Sequence, residues 1–245
     1  MIALARRIAV RRTLATAGWI LACLVLLTPL VVRTCLFQAF NMPSGSMMPT
    51  LVIGDYFAVS KFAYGYSRFS LPFAPNVGPG RIFPAAPQRG DIVVFRLPRD
   101  EATDYVKRVV GLPGDRIQMI KGVLHINGEA VKRERIEDFV DTSDGRAVPV
   151  RRFRETLPNG VSYETLDLVD NGFLDNTPEY AVPADHYFML GDNRDNSTDS
   201  RVPSQVGYVP GDHLVGRVGM VILSIGRDGD DTPTLRLDRV AVRVR

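Results

Sequence analysis

The sequence is short of the residues that most often carry redox, metal or imidazole chemistry. It holds two cysteines, three histidines and one tryptophan in 245 residues. Cys23 and Cys35 would lie about 18 Å apart on a continuous helix, at 1.5 Å per residue. A disulfide needs Cα atoms within about 7 Å, so the two cannot bridge each other. Beyond Cys35 there is therefore no disulfide framework, no cysteine nucleophile and no cysteine ligand for a metal. His125, His186 and His213 form no H-E-x-x-H pair, and no G-x-S-x-G elbow occurs. Each histidine reads as structural or solvated, and neither metal nor cofactor is expected. One-sided charge is missing too. There are 30 Lys+Arg against 27 Asp+Glu, and setting aside Arg6, Arg7, Arg11 and Arg12 leaves 26 basic residues. A nearly neutral remainder gives no footprint for nucleic acid. Repeats and helical heptads are absent.

Charge is also missing from residues 13–32, between Arg12 and Arg33. Twenty residues at 1.5 Å each span about 30 Å, the hydrocarbon thickness of a bilayer. Arg33-Thr34-Cys35-Leu36-Phe37 offers no small-residue cleavage site, so the run reads as an uncleaved anchor. Four arginines precede it and only Arg33 closely follows. That bias keeps residues 1–12 in the cytoplasm and puts residues 33–245 outside.

Past the anchor, residues 36–42 read as a strand close to the lipid. Next comes Pro43-Ser44-Gly45-Ser46-Met47-Met48-Pro49-Thr50-Leu51. Its prolines restrict their own φ and the preceding residues, while Gly45 admits angles closed to other residues. Such a turn can hold one hydroxyl in a single direction, although an ordinary linker has the same composition. Residues 54–61 read as a turn and a strand, and 62–87 as a surface loop. Residues 92–95 form a short buried strand, 98–103 a loop, and 105–110 a strand. Period two places Tyr105, Lys107 and Val109 on one face of it, with Val106, Arg108 and Val110 on the other. Residues 116–120 and 123–126 suggest antiparallel pieces, and 131–178 is polar and irregular. Together these make a peripheral insert at about 116–184. Strands return at 187–190 and 214–225, and the charged tail from Gly226 reads as marginally ordered apart from a candidate strand at its end. The expected fold is mainly β: a membrane-anchored, antiparallel β-rich domain with an inserted peripheral β subdomain and one N-terminal transmembrane helix.

Lysine is scarce as well. Of the 30 basic residues only Lys61, Lys107, Lys121 and Lys132 are lysines, and Lys107 stands among Tyr105, Val106, Val109 and Val110. Arginine cannot be deprotonated in a protein, whereas a desolvated lysine can be. A neutral amine can take a proton from a serine hydroxyl. The plain alternative is a strand-edge lysine whose amine reaches water. Residues 192–201 alternate Asp and Asn like a calcium loop. Arg194 and Arg201 oppose a cation, however, and no glutamate closes the loop. A carboxylate–guanidinium brace between Asp199 and Arg201 fits better.

Five stretches occur in order behind the anchor: Ser44 to Leu51, Gly54-Asp55 to Tyr64-Gly65, Arg89 to Phe95, Tyr105 to Asp115 and Gly191 to Arg201. They resemble the motif blocks of bacterial type I signal peptidases. The resemblance implies Ser46 as nucleophile and Lys107 as general base. It implies an oxyanion hole from the Ser46 N–H and the Ser44 hydroxyl, with Ser197 bonded to the Lys107 amine and Asp199 and Arg201 bracing that loop. Phe40, Met42, Pro43, Tyr105 and Val106 would line shallow pockets for the small residues of an A-x-A site. Partners would be exported preproteins, the bilayer and the secretion machinery, with no nucleic acid and no cofactor. The location would be the plasma (inner) membrane, with the catalytic domain on its outer, periplasmic face. This chain departs from some relatives in having one span, and residues 202–206 make a longer loop than usual. Rival readings are a Ser/Lys peptidase dedicated to conjugative pilus maturation, a non-catalytic membrane-anchored β adaptor, and a Ser/His/Asp hydrolase using His186 or His213.

Overall fold

The computed structural model describes residues 16, 18–29, 31–71, 74, 78, 80–142, 146–227 and 232–244. The expected cytoplasmic segment 1–12 lies outside the described residues, as do positions 228–231 of the tail. A helix, α1 (Gly18–Leu36), is long and apolar enough to cross a membrane, and no residue of its apolar stretch is buried, although Cys35 near its end accepts a hydrogen bond from the Tyr66 hydroxyl. Its last turn, Val32–Leu36, widens to a π-helix in which the Phe37 N–H reaches the Val32 carbonyl. The chain then passes directly into strand β1 (Phe37–Asn41).

The main sheet is antiparallel. β1 pairs with β2 (Asp55–Ser60), then come β14 (Leu214–Arg227), β3 (Ile92–Leu97), β4 (Asp100–Gly111), β12 (His186–Leu190) and β13 (Val209–Pro210), while β15 (Pro233–Leu235) pairs with β14. β3 reads IVVFRL because both of its faces are buried. Ile92 and Val94 pack with Met47, Leu51 and Phe57, whereas Val93 and Phe95 pack with Val109, Tyr187 and Met189. Two smaller sheets flank this one. One runs β11 (Tyr180–Ala181), β5 (Arg116–Ile120), β6 (Val123–Ile126) and β7 (Glu129–Ala130); the other runs β10 (Ser162–Asp167), β9 (Val148–Thr156) and β8 (Lys132–Asp141). The mainly β, antiparallel fold expected from the sequence is the fold observed.

Four local expectations need correction. The loop at 98–103 is a tight turn: β4 begins at Asp100, and Leu97 pairs with Asp100 across a bulge. Its exposed first half carries no apolar alternation to betray it. Residues 131–178 are not irregular, since β8, β9 and β10 form a sheet. Its faces are laced with ion pairs such as Arg133–Asp167 and Arg152–Glu164, which hide period two behind charge. The loop after β2 is not all surface, for Tyr64, Phe69 and Ser70 are buried. The tail is docked rather than marginal. β15 lies on β14, Met220 bridges to Arg243, and Val244 enters the core.

Candidate active site

Ser46 sits in the turn between β1 and β2. Met42 and Gly54 tie the neck of this turn: the Met42 N–H donates to the Asp55 carbonyl and the Gly54 N–H to the Met42 carbonyl. Met47 and Leu51 anchor it in the core on either side of Pro49, each fully buried. The Leu51 N–H donates to the Met47 carbonyl at 2.9 Å. Ser46 is thereby held at the surface of a packed core, 7% exposed, with Ser44 Oγ 3.3 Å from its own Oγ.

Lys107 faces it from β4, opposite Val93 of β3. Its side chain is 4% exposed, and Nζ lies 2.8 Å from Ser46 Oγ and 3.0 Å from the Val106 carbonyl. Burial strips water from the ammonium and brings its pKa down to about 8, against the upward pull of Asp199 and Asp192; Arg201 pushes it lower still. When charged, the amine donates to Ser46. When neutral, it has a lone pair for the hydroxyl proton, one N–H for the Val106 carbonyl and one N–H to spare.

The loop after β12 closes the third side. Arg201 grips Asp199 with two hydrogen bonds of 2.8 Å each, and the Gly191 N–H donates to the Asp199 carboxylate. Burial alone would raise the Asp199 pKa, but Arg201 and these hydrogen bonds hold it below the usual carboxylate range. Ser197 lies against this carboxylate, yet its buried Oγ makes no hydrogen bond of good geometry. The expected bond from Ser197 to the Lys107 amine is not made in this structure, where the amine is bonded to Ser46 and Val106. Gly191 is what lets these groups approach: a Cβ there would stand 2.2 Å from Ser197 Oγ and 2.6 Å from the Ser46 carbonyl oxygen.

Phe40, Met42, Pro43, Tyr105 and Val106 line one cleft of about 680 Å³ together with Ser44, Ser46, Lys107 and Ser197. Phe40 stacks on Phe57, and Tyr105 leans on Phe95. β12 pairs with β4 only from Arg108 onward, so among the described residues 104–106 of β4 pair with β3 on one side and have no strand on the other. A second cleft of about 700 Å³, near Gln88–Ile92 and Arg217–Gly219, contains none of these residues. The histidines are elsewhere: each Nδ1 lies within hydrogen-bonding distance of a backbone carbonyl, of Val123 for His125, Ala184 for His186 and Arg96 for His213.

Several residues that hold the site together escaped sequence reasoning. Arg108, fully buried, binds Asp192 at 2.7 and 2.8 Å, and Thr50 Oγ1 donates to the same carboxylate at 2.6 Å. Asn193 donates to the carbonyls of Ser46 and Gly45. Arg194 binds Glu155 of β9 at 2.5 and 2.8 Å, with the Tyr163 hydroxyl donating to the same glutamate. An arginine inside an apolar strand was a usable sign for Arg108. Glu155 had none, being one charge among many in β9.

A serine hydroxyl pressed against a buried amine, in a cleft bordered by an unpaired strand edge, is a site suited to peptide hydrolysis, and the class is that of a peptidase. Residues 13–223 match the family described as "Signal peptidase, peptidase S26". The signal peptidase I of Rickettsia typhi (strain ATCC VR-144 / Wilmington) is 40% identical over 208 residues, covering 82% of this chain and 77% of its own. That of Rickettsia conorii (strain ATCC VR-613 / Malish 7) is 39% identical over 208 residues, covering 82% and 76%. A crystal structure of a signal peptidase I from Enterococcus faecalis V583 is 27% identical and covers 54% of this chain and 97% of that one; its TM-score of 0.34 is too low to bear on the fold. The chain belongs to the signal peptidase family, peptidase S26. Membership makes it a signal-peptide-cleaving peptidase.

Proposed function

We propose that this protein is a single-pass membrane endopeptidase that removes N-terminal signal peptides from exported preproteins, after small residues, with Ser46 as nucleophile and Lys107 as general base. The observation that carries this reading is the 2.8 Å contact between Ser46 Oγ and a buried amine whose pKa is brought down to about 8. Neutral Lys107 takes the Ser46 proton as Oγ attacks the carbonyl of the last signal-peptide residue. The Ser46 N–H and the Ser44 hydroxyl face the developing oxyanion, where one aimed donor typically contributes about 3 kcal/mol. The Lys107 ammonium then gives its proton to the departing amine and leaves an acyl-enzyme. Water, deprotonated by the same amine, releases the signal peptide. Only peptide and water are consumed.

Substrate lies extended beside the open edge of β4 at 104–106 and residues 41–44, so main-chain hydrogen bonds supply grip. Phe40, Met42, Pro43, Tyr105 and Val106 leave room for the small side chains of A-x-A. Ser197, in the same cleft, supports the amine only when its hydroxyl turns from the Asp199 carboxylate to accept the N–H that neutral Lys107 has to spare. Residues 1–12 lie in the cytoplasm, 13–32 in the plasma membrane and 33–245 on its outer face, with an insert at about 116–184. β1 follows α1 without a linker, which supports a cleft held near the bilayer where a preprotein's cleavage site emerges.

The test is cleavage of a purified precursor. Ser46→Ala and Lys107→Ala each lose cleavage while keeping wild-type circular dichroism. Undiminished cleavage by either variant refutes the dyad. Loss of activity on replacing His186 or His213, with Lys107→Ala still active, identifies a Ser/His/Asp enzyme instead. Cleavage of several unrelated precursors excludes a dedicated maturation peptidase.

A further inference from the structure

The match to the family ends at residue 223, but the chain beyond it closes on the back of the Ser46 turn. Asp55, wholly buried, caps that turn by accepting the Val52 N–H at 2.9 Å. Arg239, in the 3-10 turn Leu237–Arg239, holds both ends of the cap. Its Nε donates to Asp55 Oδ1 at 3.0 Å, and its Nη2 donates to Asp55 Oδ2 at 2.6 Å and to the Thr50 carbonyl at 3.1 Å. Arg236 adds hydrogen bonds to the Ile53 carbonyl and to Ser224 Oγ, and that hydroxyl in turn donates to Asp55. On its other side Thr50 donates to Asp192, whose carboxylate holds Arg108, the neighbour of Lys107. Thr50 is thus the junction of two restraints, one from the side of the base and one from the C-terminal segment.

We propose that Arg239 is a positioning residue for the reaction. It fixes the 50–55 turn so that Ser46 Oγ stays within hydrogen-bond reach of Lys107 Nζ, and it touches neither substrate nor reacting atoms. The proposal rests on Ser46 being the nucleophile. Without the Arg239 guanidinium, the Thr50 carbonyl loses its restraint and, among the described residues, Asp55 keeps Arg236, 3.9 Å away, as its one cation. A displacement of about 1 Å at reacting groups can lower turnover by two orders of magnitude, so even a fraction of that is measurable.

The experiment measures kcat and KM of the full chain in detergent, on a precursor peptide, well below the unfolding midpoint of each variant. Arg239→Ala lowers kcat about tenfold or more with KM within about twofold, because the cleft rim is untouched. Arg239→Lys keeps a cation beside Asp55 but cannot bridge Asp55 and Thr50 as a fork does. It regains most of the thermal stability and only part of kcat. Wild-type kcat in Arg239→Lys, or a loss in Arg239→Ala that merely follows its unfolded fraction, overturns the proposal. Where Arg239→Ala does not fold, the lysine variant decides by the same criterion. Ser46→Ala runs alongside. If it is inactive while the Arg239 variants turn over normally, only the positioning role fails; if it is active, the nucleophile assignment fails with it.

Discussion

Lys107 carries two opposed demands in one side chain. As the proposed base it must be neutral when it meets Ser46 Oγ, and burial favours this by bringing the pKa down to about 8. The cleavage rate should therefore rise about tenfold per pH unit below 8 and level off above it, measured as kcat/KM between pH 5 and 10. An acidic limb near 6.5 that disappears on replacing the histidines would contradict this. The same shift sets a stability cost. The unfolded lysine titrates near 10.5 and the folded one near 8, so between these values the unfolded chain binds more protons. Native stability therefore rises from pH 8 to 10.5 and is lowest below 8, by about 3 kcal/mol for a shift of this size. Lys107→Met removes that cost. Its midpoint of thermal unfolding at pH 7 should exceed that of the wild type while cleavage is lost, and calorimetry beside a cleavage assay checks both. A lone lysine among valines and a serine between prolines stand out by residue type, but a strand-edge lysine and a linker have the same composition, and only the resemblance of the surrounding blocks favours a dyad. The missing Ser197–Lys107 bond was not legible, because a hydroxyl rotor follows its neighbours rather than its own position in the chain.

The elements that bring these residues together are two turns and one strand end. The Ser46 turn between β1 and β2 meets the loop after β12 through Asn193, whose backbone and side chain donate to the carbonyls of Ser46 and Gly45. Gly191 makes the approach possible, since any Cβ there runs into Ser197 and the Ser46 carbonyl. Gly191→Ala should force the loop away and cut kcat by about a hundredfold or more, with a smaller change in the unfolding midpoint. Retained turnover would show that the loop can yield at no cost. Strands with apolar alternation or a continuous apolar run, β2, β3, β12 and β14, were readable to within a few residues. β8 and β9 were not, because ion pairs rather than buried apolar side chains hold their faces, as Arg133–Asp167 and Arg151–Asp167 show.

Across the whole molecule, a buried ion pair ties the charged sheet β8–β9–β10 to the site, beside the backbone bonds that Leu166 makes with Asp192 and Arg194. Arg194 comes from the loop that carries Ser197, Glu155 comes from β9, and both are almost fully enclosed. Breaking such a pair leaves a buried charge without a partner and typically costs about 3–5 kcal/mol. Arg194→Met should lose that much in chemical denaturation, and Glu155→Gln with Arg194→Met together should lose less than Arg194→Met alone. Equal losses would show that the glutamate is satisfied by other partners. Arg133, 3.8 Å from the same glutamate, is the nearest alternative cation.

What the sequence determined by itself was local and compositional. An uncharged run long enough to cross a membrane and the positions of the buried strands follow from hydropathy and backbone restriction, whereas Ser46 and Lys107 are singled out by the resemblance of their surrounding blocks to a family. The tertiary structure alone decided which charges meet. Glu155 and Arg194 are 39 residues apart, Arg108 and Asp192 are 84 apart, and Thr50 and Arg239 are 189 apart. Salt-bridge partners have no period along a chain. Only the fold, by removing water around them, makes one pairing strong and the rest irrelevant.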